Sequence, residues 1–375
     1  MKLQLVALVC TTLVMITAVG CFEWTEDSQG NLKSVGVPGI PIWKAQTPEA
    51  NSQPPTVDSG NAATAINPEE AQLEPASSVP AQAWLDRLNH YRTMAGLPPV
   101  GQNLALNTDC GAHASYLVQQ MPTDQKELLI YRHSMGPEAH HEDMSSVYYS
   151  AAGAECAQGG KRVPNVLRAG DIAFGRDPVD DIDALLEGPF HRLSLIAPWA
   201  TVAGYGAAGD FPRRAGALVL RGPYSPSSSL VKFPSDGSVV DAGYFRAREF
   251  PDPIASCPGY KLPVGLPISV QAGQGHHLKL VSYSLAGPNG AVKVCGFDAA
   301  SYEGTNPSMT EYGRHLLENF GAAVIVPNQP LADGEYSAIV TTAKHDLKWR
   351  FTVRNQSSPP LSAHPRAEEA ERGSE

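Results

Sequence analysis

The chain has 375 residues, 28 Lys and Arg against 38 Asp and Glu, and a formal net charge of -10. Neutralising phosphates takes a basic stripe, and no Lys/Arg cluster of useful length occurs, so this balance excludes a nucleic-acid partner. The length predicts two or three domains, because a single core stops growing at roughly 250 to 300 residues.

Residues 1–21, "MKLQLVALVCTTLVMITAVGC", set one cation, Lys2, ahead of an apolar run from Leu3 to Val19 and a small residue before Cys21. This is the pattern of a secretory signal peptide, too short and wrongly flanked for a resident membrane span. Its end, "ITAVGC", resembles the lipobox of bacterial lipoproteins, with Ala18 where leucine is usual. The resemblance implies lipidation of Cys21, which would make a membrane the first partner; the alternative is simple cleavage near Gly20 and secretion. Residues 22–79 are rich in Pro, Ala, Ser, Glu and Gln. That composition buries too little apolar surface to offset ordering, and it predicts a disordered tether. Residues 356–375 predict a disordered tail for the same reason.

Order begins at "PAQAWLDRLNHYRTMAGLPP", where Ala83, Trp84, Leu88, Tyr91 and Ala95 recur at helical spacing and Gly96 with two prolines ends the run. A second helix fits "LNTDCGAHASYLVQQM", capped by Thr108 or Asp109. A third fits "DPVDDIDALLEG", with acids in its first turn and Gly188 and Pro189 stopping it, which places His191 just beyond the helix end. The runs "ATVAGYGAA" and "AGALVLRG" read as strands, so 80–222 predicts a mixed α/β or α+β region. From residue 223 to 355, short β-prone runs alternate with Gly, Pro, Asn and Asp turns at intervals of roughly ten residues, as in an immunoglobulin-like β-sandwich. "SMTEYGRHLLENFG" interrupts them as a helix.

Cys110, Cys156, Cys257 and Cys295 remain after the signal. Three pairings are open to sequence, but two cysteines fall in each region, which favours Cys110 with Cys156 and Cys257 with Cys295 in an oxidising compartment. No C-x-x-C spacing supports a zinc-cysteine site.

"LNHYRTMAGLPPVGQNLALNTDCGAHASYL" resembles the opening of the CAP superfamily (cysteine-rich secretory proteins, antigen 5 and plant pathogenesis-related 1; the SCP domain). "GPFHRLSLIAPWATVAGYG" resembles the bacterial form of its second histidine motif, and "LPISVQA", "PNQPLADGEYSAIVTT" and "LKWRFTVR" are similar to the β-sandwich that bacterial members carry behind it. The resemblance implies an α+β protein: a CAP-type α-β-α sandwich over 80–222, then an all-β immunoglobulin-like sandwich. It also implies a cleft lined by two histidines and two glutamates, where divalent metal can bind. Carried onto this chain, the second histidine is His191 and the first is His140 or His141. The first glutamate matches Glu155, and the second is Glu187 or Glu142. The chain departs from the pattern at Cys156, where the family has asparagine, and in a short loop between His140 and Glu155.

Physically, two neutral imidazoles with one or two carboxylates and water suit Zn²⁺ or another divalent cation, with ligands at about 2.0 to 2.2 Å. A neighbouring carboxylate, for which Glu142, Glu155 and Glu187 are the candidates, could instead orient an imidazole or act as a base. His113, among Ala112 and Tyr116 on the second helix, reads as a core histidine; His133 and Glu138 read as solvated loop residues. Tyr148 and Tyr149 read as packing residues. "GYGAAG" has the G-x-G-x-x-G form, but "DFPRRAG" follows where a dinucleotide fold needs a helix. His276 and His277 read as a fortuitous exposed pair. No G-x-S-x-G elbow occurs, and no nucleophile with an activating base stands out. The expectation is an exported, lipid-anchored CAP-domain protein of the cell envelope, presenting a His/Glu cleft to an extracellular ligand, lipid or protein. The alternatives are a metal-dependent hydrolase or peptidase using Zn-bound water, and a structural or adhesive envelope protein.

Overall fold

The computed structural model describes the backbone of residues 23–26, 32–37 and 40–44, and then residues 82–224, 230–246 and 249–355. The signal segment, Cys21 and the 356–375 tail lie outside the described residues. Within the segment expected as a tether, β1 (Glu23–Glu26), β2 (Leu32–Val37) and β3 (Ile40–Lys44) form an antiparallel sheet in that order. The stretches "EWTE", "LKSVGV" and "IPIWK" carry the aromatic and β-branched residues that favour strands, whereas the Pro/Ala/Ser bias begins only after them. Averaging composition over the whole segment hid that difference. The chain divides after Glu74 into two compact units, and the second holds the described residues from 82 onward.

Its first half runs α1 (Ala83–Met94), β4 (Gly101–Gln102), α2 (Leu104–Gln120), α3 (Gln125–Ser134), a 3₁₀ turn (Pro137–His140), α4 (Ala151–Ala157), β5 (Val166–Ala173), α5 (Pro178–Glu187), α6 (Pro189–Leu195), β6 (Val202–Ala208) and β7 (Ala215–Pro223). The sheet order is β4-β6-β7-β5, with β5 and β6 antiparallel to β7 and β4 parallel to β6. Side chains alternate across β7: Ala215, Ala217 and Val219 pack with α2, α4 and Cys110, whereas Leu218 and Leu220 pack with α1, α5 and α6. Helices therefore cover both faces.

α1 forms where the spacing predicts, burying Trp84, Leu88 and Tyr91. Arg92 is also fully buried and donates to the carbonyls of Pro98, Leu195, Ala197 and Ala200, fastening the turn after α1 to the chain beyond α6. α2 begins earlier than expected. Asn103 caps it, accepting from Leu106 N at 3.1 Å, so Thr108 and Asp109 lie inside the helix. The glycines of "AGYG" have a packing role: a Cβ at Gly204 would lie 2.2 Å from Leu106 Cβ, and one at Gly206 would lie 2.1 Å from Gly111 N. They let α2 approach β6.

The second half runs β8 (Val231–Phe233), β9 (Val239–Val240), β10 (Tyr244–Phe245), β11 (Val264–Gly265), β12 (Ile268–Gln271), β13 (Leu280–Gly287), β14 (Gly290–Val292), β15 (Val294–Asp298), α7 (Pro307–Phe320), β16 (Ala322–Pro327), β17 (Gly334–Thr342) and β18 (Asp346–Val353). One sheet is ordered β15-β16-β12-β8, a second β14-β13-β17-β18-β9, and β10 pairs with β11. The chain is of the α+β class.

The two halves share one core, running from Trp84 to Val353. All six residues of β16 are buried. Gln271 of β12 donates to the carbonyls of Leu193 and Ile196, and Arg192 donates to Pro267 O at 2.7 Å while its guanidinium covers the Phe233 ring. Disulfides join Cys110 to Cys156, linking α2 to α4, and Cys257 to Cys295, as the regional count predicts. In the chain-entropy model the first stabilises by about 4 kcal/mol. Among the described residues no helix is long and apolar enough to cross a membrane.

Candidate functional site

α5 ends at Glu187, and Gly188 breaks it with an extended backbone, φ -71° and ψ 121°, before a second helix starts at once. Gly188 closes α5 and opens α6, with Pro189 in the first turn, where its fixed φ is pre-organised and its missing N–H is not needed. His191 thus lies beyond the end of α5, as the glycine and proline predict, and stands on a further short helix, α6. Gly188 has no side chain to cap α6, and the carboxylate of Glu249 takes that place. Glu249 Oε1 accepts from both the backbone N and Nδ1 of His191, each at 2.7 Å. A Cβ at Gly188 would lie 2.5 Å from that oxygen, so glycine is what lets the carboxylate in.

Burial opposes charge on His191, but the hydrogen bond and charge of Glu249, together with the charge of Asp171, outweigh it and raise its pKa. His140, at the end of the 3₁₀ turn, has the opposite environment. Burial pulls it down to about 4, opposed by its hydrogen bond to Ala157 O and reinforced by the charges of His191, His113 and His141. Since a carbonyl only accepts, Nδ1 of His140 donates to Ala157 O at 3.1 Å and Nε2 keeps its lone pair.

Both histidines line a cavity of about 330 Å³, together with Asp171 of β5, Ser194 of α6 and Tyr312 of α7. Its apolar walls come from Phe190 and Trp199 in the first half and from Phe250, Leu316 and Phe320 in the second. Burial pushes the Asp171 carboxyl up to about 6, against the His191 charge and the Ser194 hydrogen bond. The Ser194 hydroxyl has one proton and two acceptors in reach, Asp171 Oδ2 and His191 O. Burial and the charge of Asp171 also raise the Tyr312 phenol.

Of the sequence-derived metal candidates, His140 and His191 come together in this cavity, whereas His141 is exposed. The candidate carboxylates lie elsewhere. Glu142 is buried, accepting from His113 Nδ1 at 3.0 Å and from Ser150 N at 2.9 Å. Gly153 of α4 makes room for it, since a Cβ there would lie 2.2 Å from Glu142 Oε1. Glu155 is exposed on α4 and its charge raises the Asp109 carboxyl. Glu187 closes α5 half-buried, its carbonyl accepting from Arg192, and is not among the residues lining the cavity.

His113 is fully buried with both ring nitrogens engaged, the second by Ala139 O at 2.7 Å. The loop after His141 exposes Met144, Val147 and Tyr148. Among the described residues no group of three or more His, Cys, Asp or Glu side chains is arranged to hold a metal ion.

Asp171, Ser194, Glu249 and Tyr312 escaped the sequence reading. Only Asp171 carried a usable signal, an acid inside the apolar run "AGDIAFG". Glu249 lies in "REFPDP", where no periodicity points at His191. No protein-family model matches the chain, and neither does any curated protein.

Proposed function

We propose that this is an exported, lipid-anchored protein of CAP type that binds a small extracellular ligand in the cavity between its two halves, with His140 and His191 as its polar contacts. The carrying observation is the shared orientation of the two imidazoles. Each has Nδ1 held by an acceptor, Ala157 O or the Glu249 carboxylate, and neither Nε2 has a hydrogen-bond partner among the described residues. Proteins orient ligand-binding and metal-binding imidazoles this way. A volume of about 330 Å³ lies within the range of small-molecule sites. Two disulfides suit an oxidising compartment, in keeping with export through residues 1–21 and an anchor on Cys21.

The donor set fits a divalent cation to the extent of two nitrogens. Zn²⁺ would take the two Nε2 atoms, leaving its other positions to water or ligand, and would supply Lewis acidity there. Titration calorimetry of Zn²⁺ into the whole chain tests the site. Binding weakened at least about ten-fold by His140→Ala and by His191→Ala, but not by His141→Ala, is expected. Binding indifferent to His140 and His191 would overturn the assignment.

The second reading, a metal-dependent hydrolase, draws on Asp171, a carboxyl near neutrality beside the two imidazoles. Turnover of peptides or esters that is equal in the wild type and in a His140→Ala, His191→Ala pair would exclude it.

A further inference from the structure

The charges around the cavity are unevenly shared. Of the two buried carboxylates, Glu249 is hydrogen-bonded to His191 and also acts on the charge of the buried Arg192, whereas Asp171 meets the charge of His191 without an ion pair of its own. Among the described residues no Lys, Arg or His forms an ion pair with Asp171, whose side-chain hydrogen bond comes from the Ser194 hydroxyl. Arg168 also lines the cavity, but its guanidinium donates to Gly160 O, and the charges acting on it are Arg162 and Arg221. His140, neutral and presenting a lone pair, adds an acceptor rather than a charge. From the second half, Gln274 contributes Oε1, a buried acceptor with no hydrogen-bond partner. Asp171 therefore lines the cavity with no ion-pair partner among the described residues.

Its walls are aromatic. Trp199 and Phe320 stack with ring centroids 6.3 Å apart, and Phe190, Phe250 and Tyr312 line the remainder. An uncompensated carboxylate in an enclosed space is costly unless a partner reaches it, and aromatic faces attract cations. An anion would meet Asp171, and a neutral molecule would leave that carboxylate without an ion pair.

We propose that the cavity takes a small organic ammonium ligand, its nitrogen on Asp171 and its hydrocarbon body against the aromatic walls contributed by both halves. This rests on the cavity being the binding site and names the class of molecule it selects. The formal net charge of -10 would draw such cations toward the protein.

The test uses the whole chain in EDTA, titrated calorimetrically with phenethylamine, 2-phenylethanol and phenylacetate, which share a ring and differ in head-group charge. Phenethylamine binding at least about ten-fold tighter than 2-phenylethanol is expected, with phenylacetate weakest. In Asp171→Asn that preference disappears while 2-phenylethanol binding persists, which shows that the variant is folded. Phenylacetate binding best, equal affinities, or an unchanged preference in Asp171→Asn would overturn the ligand class and leave the cavity standing. Amine binding that appears only after Zn²⁺ is restored would also overturn it, giving the missing charge to the metal. Silence with all three compounds, together with a silent Zn²⁺ titration, would overturn the cavity itself.

Discussion

His113 and His191 each sit against a buried carboxylate, yet they differ in what is left over. The His113 imidazole is closed on both sides, by Glu142 and by the Ala139 carbonyl, and its partner's other oxygen is taken by Ser150 N. His191 is held on one side only, by Glu249, and the rest of its ring opens to the cavity. Residue type and carboxylate partner are alike in the two places, but the His113 side chain is fully buried and that of His191 is 24% exposed, and it keeps unspent hydrogen-bonding capacity. A fully satisfied buried pair stiffens a loop, here the one that exposes Met144 and Val147. A partly satisfied one can meet a ligand.

That contrast can be broken by substitution. Replacing Glu142 with Ala strands the buried His113, and a loss of about 3 to 5 kcal/mol is expected in urea unfolding, with Zn²⁺ and amine binding retained by the folded fraction. A small loss of stability with abolished binding would instead put His113 in the site.

Asp171→Asn should act in the opposite sense. The folded carboxyl titrates near 6 against an ordinary 3.8, so its ionisation costs the folded state as pH rises across that window. The variant should be more stable than the wild type at pH 7 by on the order of 3 kcal/mol, with the gain fading to nothing below pH about 4. Denaturant midpoints at the two pH values check it.

His140, pulled to about 4 from 6.5, should be an acid-labile point. Its neutral form is favoured by the fold, so stability is present above the unfolded value and lost as pH falls toward the folded one. His140→Asn, which keeps a donor for Ala157 O, should remove on the order of 3 kcal/mol of that acid loss. Comparing the pH slopes of the two proteins between those values is the measurement.

The smallest effect is expected at exposed His141, where Ala should change stability by no more than about 0.5 kcal/mol and leave binding alone. A larger effect there would return His141 to the site and blur the contrast.

Much of the architecture was legible because it is local. Trp84, Leu88 and Tyr91 mark one face of α1, and in the second half β12 and β17 lie inside "LPISVQA" and "PNQPLADGEYSAIVTT", while β18 and α7 begin within one residue of "LKWRFTVR" and "SMTEYGRHLLENFG". β5 was missed because "VLRAGDIA" lacks alternation, its residues being packed between β7 and the helices. α3 and α4 were missed because their segments are polar or small, and α2 was begun too late because Asn103 caps it from the end of a two-residue strand.

The site was less legible than the fold. Sequence by itself pointed to the class of the chain, favoured the cysteine pairing and picked out the two candidate histidine segments, since each depends on composition or short-range spacing. Only the tertiary structure decided that His140 faces inward and His141 outward, and that Glu142 serves His113. It alone brought Asp171, Glu249 and Tyr312 to His191. Those are meetings between side chains 20 to 121 residues apart, chosen by how β5, α6 and α7 pack around one cavity, and no local pattern encodes a contact made across a shared core.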